Sequence, residues 1–280
     1  MSRFRIACLQ TIPQPDFASA NAEAGELLRA AVDAGAEFIA LPEYCGGLVS
    51  DGPRISPPAA PEHQHPVLAM LRDFARQHGV WLLVGSIAVS GPGGRILNRG
   101  YVVDAGGSIR ARYDKIHMFD IQLSERQVYR ESATVCPGDA AVTVETLFGC
   151  LGMTICYDLR FPALYRALAQ AGAQILVVPA AFTKATGEAH WHILNRARAI
   201  ENGCFVISPC ATGPVPGGGH CYGHSLIVDA WGHPLADGGE DRGYITADID
   251  LEAVSRARSR IPSLSHDRPF ELVVSARVAA

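Results

Sequence analysis

The sequence predicts an α/β fold in which strands form one mixed sheet, or two sheets, covered by helices. Apolar strand-like segments alternate with amphipathic helical segments in the first third, and hairpin-like pairs of strands interrupt that alternation further on. No long polar linker separates two halves. The length of 280 residues is near the upper limit for one core, and 48% hydrophobic against 19% charged residues fits a large interior. We therefore expect a single domain over residues 1–280.

The N-terminal third is predicted to run strand, helix, strand, helix, strand. Apolar alternation favours the strands, helical spacing of Ala and Leu favours the helices, and Gly35 and Gly79 are suited to helix C-termini. Pro42 stops the second strand, so that Glu43 follows a strand end directly. The expected elements are a strand at 5–9, a helix after Phe17, a strand at 38–41, a helix at 66–78 and a strand at 81–89.

The remaining two thirds are predicted to mix hairpins with helices. Gly106 and Gly107 mark one turn between strands, and Gly149 marks a second. A helix at 190–200 is expected to bury a stripe of apolar side chains at helical spacing, namely Trp191, Leu194, Ala197 and Ile200. The other expected elements are strands at 98–103, 108–113, 142–147, 149–155, 175–178, 205–208, 225–228 and 244–249, and helices at 162–170 and from about 252.

Charge and targeting features disfavour several classes of function. With 24 basic and 28 acidic residues the net charge is −4, so phosphate neutralisation cannot drive nucleic-acid binding. The N-terminus lacks the apolar core of a secretory signal, and the longest uncharged stretch is broken by prolines and glycines, so we expect a cytoplasmic protein without membrane partners. None of the eight cysteines forms a CxxC pair, and in a reducing compartment most should be small buried hydrophobes.

Three side chains with catalytic potential follow directly on predicted strands: Glu43, Lys115 and Cys156. A cysteine at a strand-to-helix turn presents its sulfur beside backbone N–H groups, which combines a nucleophile with donors for an oxyanion. A carboxylate could take the thiol proton, and an ammonium could stabilise the thiolate. Taken singly, each residue is more often structural or solvated, because free cysteines are usually buried and Glu and Lys usually exposed.

The segments that contain these three residues, taken together, resemble a known family. The segments LPEY (41–44), YDKIHMFD (113–120) and ICYDLRFP (155–162), in that order, resemble the three signatures of the nitrilase, or carbon-nitrogen hydrolase, superfamily. Three ordered motifs are far more specific than any one of them. The resemblance continues through further segments such as RARAIEN, YGHS and IPSLSHDRP, and covers the chain from Arg5 to about Phe270.

The resemblance implies a Glu-Lys-Cys triad. Glu43 matches the general base, Lys115 the oxyanion-stabilising lysine and Cys156 the nucleophile, while the N–H of Tyr157 matches the backbone oxyanion donor. Glu131, in YRES, matches a second glutamate that orients the lysine or the attacking water. The implied reaction passes through a thioester, with Glu43 first protonating the leaving amine and then activating water, and requires neither metal nor organic cofactor.

Within the superfamily, the segments resemble the branch that contains omega-amidase and deaminated-glutathione amidase. The implied function is hydrolysis of a terminal carboxamide of a small anionic keto-acid or deaminated-glutathione-like substrate, with release of ammonia. N-carbamoyl amino acid or nitrile hydrolysis is the alternative within the superfamily. Arg160 and Lys184 are candidates for binding the substrate carboxylate, Arg160 being equally suited to bracing the turn, and His190 is a candidate for lining the pocket.

The resemblance also implies a four-layer α-β-β-α sandwich that pairs into an eight-layer homodimer, with a tail at about 261–280 packing at the interface. Other interpretations fit the sequence less well. The histidines around His220, Cys221 and His224 lack the spacing of a metal site, and Gly217–Gly219 lack the residues of a phosphate loop and fit a pocket rim better. A redox-sensing or binding protein on the same fold would need no base beside its thiol.

Overall fold

The computed structural model describes residues 3–125 and 127–274, and its strands form two large sheets. Strands and helices follow one another much as the sequence patterns predict. The helices are α1 (Phe17–Asp33), α2 (Pro66–His78), α3 (Pro162–Gln170), α4 (Lys184–Asn202) and α5 (Glu252–Arg260). The strands of the N-terminal half are β1 (Arg3–Gln10), β2 (Phe38–Ala40), β3 (Ser50–Asp51), β4 (Arg54–Ile55), β5 (Trp81–Ser90), β6 (Ile96–Val103), β7 (Ile109–Asp114), β8 (Asp120–Gln122), β9 (Val128–Arg130) and β10 (Val135–Cys136).

The C-terminal half supplies the second sheet and returns one strand to the first. Its strands are β11 (Val142–Thr146), β12 (Gly149–Met153), β13 (Ile175–Val177), β14 (Phe205–Ser208), β15 (Thr212–Pro214), β16 (His220–Tyr222), β17 (Leu226–Val228), β18 (Pro234–Asp237) and β19 (Gly243–Asp250). The first sheet has the order β10-β6-β5-β2-β1-β19, with β7 also paired to β6, and the second has the order β11-β12-β13-β14-β17-β18. Three two-stranded ribbons, β3–β4, β8–β9 and β15–β16, lie outside both sheets.

Side-chain alternation in the first sheet divides its apolar residues between two cores. Phe4, Ile6 and Cys8 on β1 join the core that contains the second sheet, whereas Ala7 and Leu9 join the core that contains α1 and α2. Successive side chains on a strand point to opposite faces, so one face of this sheet packs on the second sheet and the other on helices. With α3 and α4 covering the second sheet, the layers are α-β-β-α, as predicted.

The prediction for α4 is wrong at its start and on its buried face. The helix begins at Lys184, six residues before the predicted start, and it includes Gly187, whose missing side chain lets the helix lie against Tyr222. Ile200 is 54% exposed rather than buried. The buried face of α4 is mainly polar and consists of Thr186, Gly187, Trp191, Asn195, Arg198, Ala199 and Asn202. The apolar spacing therefore predicted a helix in this part of the chain, but it did not predict the first six residues or the polar side chains of the buried face.

The segment after α5 packs partly on its own chain. Asp267 pairs with Arg166 of α3, and the Arg166 guanidinium also donates to the carbonyl oxygen of Ser263 at 2.6 Å. Phe270 is almost fully exposed, as are the three apolar residues that follow Glu271. Residues 275–280 of the predicted tail lie outside the described residues. The homodimer, the position of the tail in it and the single-domain boundaries stay predictions.

No helix of the described residues is both long enough and apolar enough to cross a membrane.

Candidate active site

Strand ends from both sheets converge on a cleft of about 770 Å³, a volume that includes the open space at its entrance. Four residues that line it, Glu43, Lys115, Glu131 and Cys156, are at most 7% exposed, and we call them the floor. The mouth is formed by Arg54, Arg130 and the loop 214–219, all at the surface. The walls between floor and mouth are largely apolar and include Leu48, Pro53, Ile55, Phe119, Ala181, Phe182 and Val215.

Glu43 reaches the floor because the two sheets approach closely at Gly85. A Cβ at this position of β5 would meet the carbonyl oxygen of Pro42 and the ring of Pro179, so only glycine allows the ends of β2 and β13 to come together. Beyond Pro179, the backbone N–H of Ala181 donates to Oε2 of Glu43 at 2.9 Å. A group from the second sheet thus fixes a carboxylate from the first.

Lys115 follows β7 directly and lies between two carboxylates. Its Nζ donates to Oε1 of Glu43 at 2.9 Å, and to Oε1 and Oε2 of Glu131 at 3.0 and 2.9 Å. The N–H of Phe119 donates to Oε2 of Glu131 at 2.6 Å and holds that side chain in place. The ammonium is therefore held on two sides by carboxylate oxygens, and these hydrogen bonds fix its position in the cleft that Cys156 also lines.

Cys156 begins a 3-10 turn, Cys156–Arg160, shortly after β12 ends. Its φ is 48°, an uncommon value for a residue with a side chain, and its N–H donates to the carbonyl oxygen of Pro179 at 2.9 Å. Strained backbone of this kind persists only where neighbouring structure enforces it. Because Tyr157 lies in the first turn of the short helix, no preceding carbonyl of the turn accepts its N–H, which leaves a donor next to the sulfur.

Asp158 supports the turn and links it to the segment around Lys115. It is fully buried; its Oδ2 accepts from the Ile155 N–H at 2.9 Å and from the Tyr113 hydroxyl at 2.7 Å. Its Oδ1 accepts from the N–H of His117 at 3.1 Å and lies 2.7 Å from Nδ1 of the same ring. One carboxylate therefore couples the position of Cys156 to that of Lys115, a role that the sequence patterns do not reveal.

Asn98 is a second supporting residue that the sequence analysis missed. It is fully buried on β6, and its Nδ2 donates to Oε1 of Glu43 at 2.9 Å and lies 3.4 Å from Oε1 of Glu131. The Tyr44 hydroxyl lies 3.4 Å from the same Glu131 oxygen. An amide inside a strand that is predicted to lie in the core is the signal that could have found it, because buried polar groups need partners.

The electrostatics of the floor are dominated by burial and by the two carboxylates. Burial raises the pKa of the Cys156 thiol well above its ordinary value, Glu43 raises it further by charge and hydrogen bonding, and Lys115 opposes both. Burial acts most strongly on Lys115 as well, but Glu131 and Glu43 outweigh it and raise the pKa of its ammonium well above the usual value. Burial, with a contribution from Glu43, raises the pKa of Glu131. The resting thiol is therefore protonated beside a charged lysine.

Arg160, His190 and Lys184 do not line the cleft. The guanidinium of Arg160 lies 5.4 Å from the ring centre of the lining residue Phe182 and 3.4 Å from Nδ1 of His190. The structure thus brings Arg160 and His190 together just behind the wall. Lys184 is at the start of α4, where it pairs with Glu240 at 3.0 Å. His190 lies within α4 rather than at its first position, because that helix starts earlier than the sequence patterns predict.

The histidines form a different group from the one considered in the sequence. His192 and His224 bracket the carboxylate of Asp237 at 2.9 and 2.8 Å, and ligand atoms of the three residues lie within 4.8 Å of one another. His220 lines the cleft instead. All eight cysteines are buried and unpaired with one another, as expected for small hydrophobes. Of these eight, Cys156 and Cys221 line the cleft.

The comparisons with known proteins extend the resemblance beyond its motifs. The family model described as carbon-nitrogen hydrolase matches residues 5–259. The chain belongs to the carbon-nitrogen hydrolase family. This carbon-nitrogen hydrolase is 39% identical over 270 residues to a protein named deaminated glutathione amidase from Synechocystis sp. (strain PCC 6803 / GT-S), with 95% of this chain and 98% of the relative covered. It is 34% identical to omega-amidase NIT2 from Xenopus tropicalis, with 94% of each chain covered.

Solved structures agree with the fold of this carbon-nitrogen hydrolase. The C. elegans NitFhit protein superposes with a TM-score of 0.86 at 33% identity, over 96% of this chain and 66% of that protein. An amidase variant from Nesterenkonia sp. AN1 superposes with a TM-score of 0.73 at 25% identity, over 92% and 98% of the two chains, and carries an acrylamide adduct on its active-site cysteine. The family and the layered fold predicted from three short motifs are therefore confirmed.

Proposed function

We propose that this protein is an amidase that hydrolyses the amide bond of a small keto-acid amide, with Cys156 as nucleophile. The observation that carries the proposal is the floor: the Lys115 ammonium donates to the Glu43 carboxylate at 2.9 Å, and both groups line the cleft with the buried thiol of Cys156, whose pKa they influence. This combination supplies a nucleophile, a proton acceptor and an electrophilic stabiliser at one point.

In the first step the Cys156 sulfur attacks the amide carbonyl. Because the thiol is protonated at rest, its proton passes to Glu43 as the C–S bond forms, and a pre-formed thiolate is not required. The developing oxyanion faces the Lys115 ammonium and the Tyr157 N–H, which are fixed before the substrate arrives and need no reorganisation. Glu43 then protonates the nitrogen, the C–N bond breaks and the amine leaves.

In the second step water hydrolyses the thioester. Glu43 accepts a proton from the water, hydroxide adds to the acyl carbon, and the sulfur leaves and regains a proton. Glu131 keeps Lys115 in place through both steps, so its contribution is to position the ammonium. Each step uses groups of this chain alone, so the proposal needs no metal and no organic cofactor.

The substrate class is supported by the relatives and by the cleft. Relatives matched over nearly their full length are named deaminated glutathione amidase and omega-amidase. A terminal carboxamide such as α-ketoglutaramate would release ammonia. Deaminated glutathione, in which a keto oxygen replaces the glutamyl amino group, would release cysteinylglycine, and α-ketoglutarate is the acid product in both cases. The apolar walls of the cleft suit such small substrates.

The test is α-ketoglutarate formation from deaminated glutathione and from α-ketoglutaramate, with an N-carbamoyl amino acid and a simple nitrile assayed in parallel. We expect the wild type to hydrolyse at least one keto-acid amide and Cys156→Ala to lose at least about 10⁴-fold in kcat. Cys8→Ala is the matched control, because Cys8 is equally buried but lies in β1, and it should keep activity within about twofold. Turnover of only the nitrile or the carbamoyl compound would refute the substrate class, and full activity of Cys156→Ala would refute the nucleophile.

One further measurement distinguishes the proposed amidase from a non-catalytic thiol protein with the same fold. If Cys156 acts in catalysis, a thiol-directed electrophile should label it, and excess keto-acid amide should block the labelling while being consumed. Labelling that amides do not affect, together with the absence of turnover, would favour a redox-sensing or binding role.

A further inference from the structure

Two arginines from separate ribbons meet at the mouth. Arg54 lies on β4 and Arg130 ends β9, and both line the cleft. The backbone N–H of Arg130 donates to the carbonyl oxygen of Pro53 at 2.8 Å, which ties the two ribbons together immediately beside Arg54. The spacing between the two guanidinium-bearing segments is therefore fixed by the backbone, while the side chains remain exposed.

Neither guanidinium forms an ion pair with any residue in the described ranges 3–125 and 127–274. The contrast is with Arg99, whose guanidinium is held by Asp114 at 2.7 Å and by Glu62 at 2.9 Å. The Arg130 guanidinium donates one hydrogen bond within the described residues, of 3.3 Å to the carbonyl oxygen of Tyr129. Asp51 lies opposite Arg54 in the ribbon β3–β4 without forming an ion pair with it, so neither guanidinium at the mouth is held by a carboxylate of the described residues.

The positive charge of Lys115 at the floor is not available to a substrate carboxylate. Lys115 is the only ammonium there among the described residues, and it is already shared between the carboxylates of Glu43 and Glu131. A free carboxylate placed at the floor would face those two acids in a site of low polarity, which is costly. Any substrate carboxylate in the open part of the cleft is therefore directed towards the mouth.

The order of bond breaking shows which part of the substrate faces the mouth. After the C–N bond breaks, the acyl group stays on the Cys156 sulfur, whereas the amine must leave and water must enter. The cleft opens past Arg54 and Arg130, so the departing amine lies on their side. A dipeptide amine spans at most about 7 Å when extended, so its terminal carboxylate lies away from the thioester and towards the open side of the cleft.

We propose that Arg54 and Arg130 form a binding site for a carboxylate carried by the leaving amine, so that the cleft prefers amides of amino acids or short peptides to primary amides. This proposal rests on the amidase function proposed above. It assigns the mouth to the leaving group and leaves the acyl chain to the walls, where the keto-acid carboxylate of that chain is kept away from Glu43 and Glu131. Paired guanidinium groups suit a carboxylate because each presents two N–H donors in a plane.

The test compares Arg54→Gln/Arg130→Gln with wild type on three substrates: deaminated glutathione, the same compound with its glycine carboxylate converted to a methyl ester, and α-ketoglutaramate. We expect the double variant to lose about tenfold or more in kcat/KM on deaminated glutathione, mainly through KM, and less than about twofold on the ester and on α-ketoglutaramate. The wild type should itself prefer the free acid to the ester.

Arg95→Gln is the matched control, because Arg95 is exposed and forms no ion pair among the described residues, but lies away from the cleft. It should leave all three values within about twofold. An equal loss on all three substrates, or no loss on deaminated glutathione, would overturn the proposal while leaving the amidase function intact. Failure of the wild type to convert any of the three would instead overturn the amidase function.

Discussion

The floor and the mouth of the cleft are built in opposite ways. At the floor, Glu43 and Lys115 are buried, and backbone groups or buried side chains fix each of them through several hydrogen bonds. At the mouth, Arg54 and Arg130 extend from two-stranded ribbons, exposed and unpaired with any acid of the described residues. Rigid, desolvated groups suit the catalytic step, which is the same for many amides. Exposed groups at the entrance suit selection among amide substrates. A substitution at the floor should therefore change kcat, and one at the mouth should change KM.

Among the substitutions that compare the floor with the mouth, removal of the cation from the floor is expected to have the largest effect. Lys115→Met leaves the carboxylates of Glu43 and Glu131 buried without the ammonium that lies between them and compensates their charge. We expect kcat to fall by at least about 10³-fold and the free energy of unfolding to fall by about 3–5 kcal/mol, because an uncompensated buried charge is costly. Steady-state kinetics and denaturant unfolding measure the two quantities.

The chain supplies its own control for this experiment, since it has only two lysines. Lys184 is partly exposed and pairs with Glu240 at the surface, so Lys184→Met should leave both turnover and stability close to wild type. If Lys115→Met proved as stable and as active as Lys184→Met, the floor would not depend on its ammonium, and the proposed oxyanion stabilisation would be wrong.

A smaller effect, but one with a definite sign, concerns the Cys156 thiol. After burial, the charge of Glu43 is the main influence that raises the pKa of this thiol, while Lys115 lowers it. Replacing Glu43 with Gln removes the first influence and keeps the second, so the thiol should ionise at lower pH than in wild type even though turnover falls steeply. The thiolate absorbance, titrated with pH and corrected by subtracting the matching Cys156→Ala protein, reports the change.

Glu62→Gln is the control for the titration, because Glu62 is an acid that pairs with Arg99 and Arg112 away from the floor. It should leave the ionisation of Cys156 unchanged. A thiol that ionises at higher pH, or at the same pH, in Glu43→Gln would show that the carboxylate does not face the sulfur, and would remove Glu43 as the proton acceptor.

The sequence alone predicted the floor well and the mouth hardly at all. Glu43, Lys115 and Cys156 each follow a strand end inside a recognisable motif, and sites collect at strand ends in α/β proteins, although the three strands here belong to two sheets. Asn98 and Asp158 carry no such signal, since their importance lies in partners far along the chain. Arg54 and Arg130 lie in short ribbons without periodicity, and only the fold brings them to one opening.

The same reasoning explains the error at α4. Apolar periodicity located its centre, but the first six residues are held by other means: the hydroxyls of Thr183 and Thr186 lie 2.8 Å apart at its start, and Gly187 permits close packing on Tyr222. Glycine and threonine inside a helix run against local propensity, and tertiary contacts override it here. The displaced start is why His190 lies inside the helix and not at its first position.

The smallest expected effect tests whether the mouth acts on binding alone. Gly217 has a φ of 84°, and an added Cβ would meet the carbonyl oxygen of Ser50. The N–H of the same Ser50 donates to the carbonyl oxygen of Pro216 at 2.8 Å, which holds the loop against β3. Gly217→Ala should therefore push the loop 214–219 away from β3, at a cost of about 1–2 kcal/mol in stability. Because the floor does not contact this loop, we expect KM for the amide substrate to rise about three- to fivefold, with kcat unchanged, a mild loss of binding energy.

Gly94→Ala separates the effect of the clash from that of backbone strain. Gly94 also has a positive φ, of 73°, but an added Cβ there would meet nothing within 4 Å, and the residue is remote from the cleft. It should lose stability without any change in KM. If Gly217→Ala lowered kcat instead of raising KM, the loop would reach the reacting atoms, and the separation of a catalytic floor from a selective mouth would fail at the point where the two regions come closest.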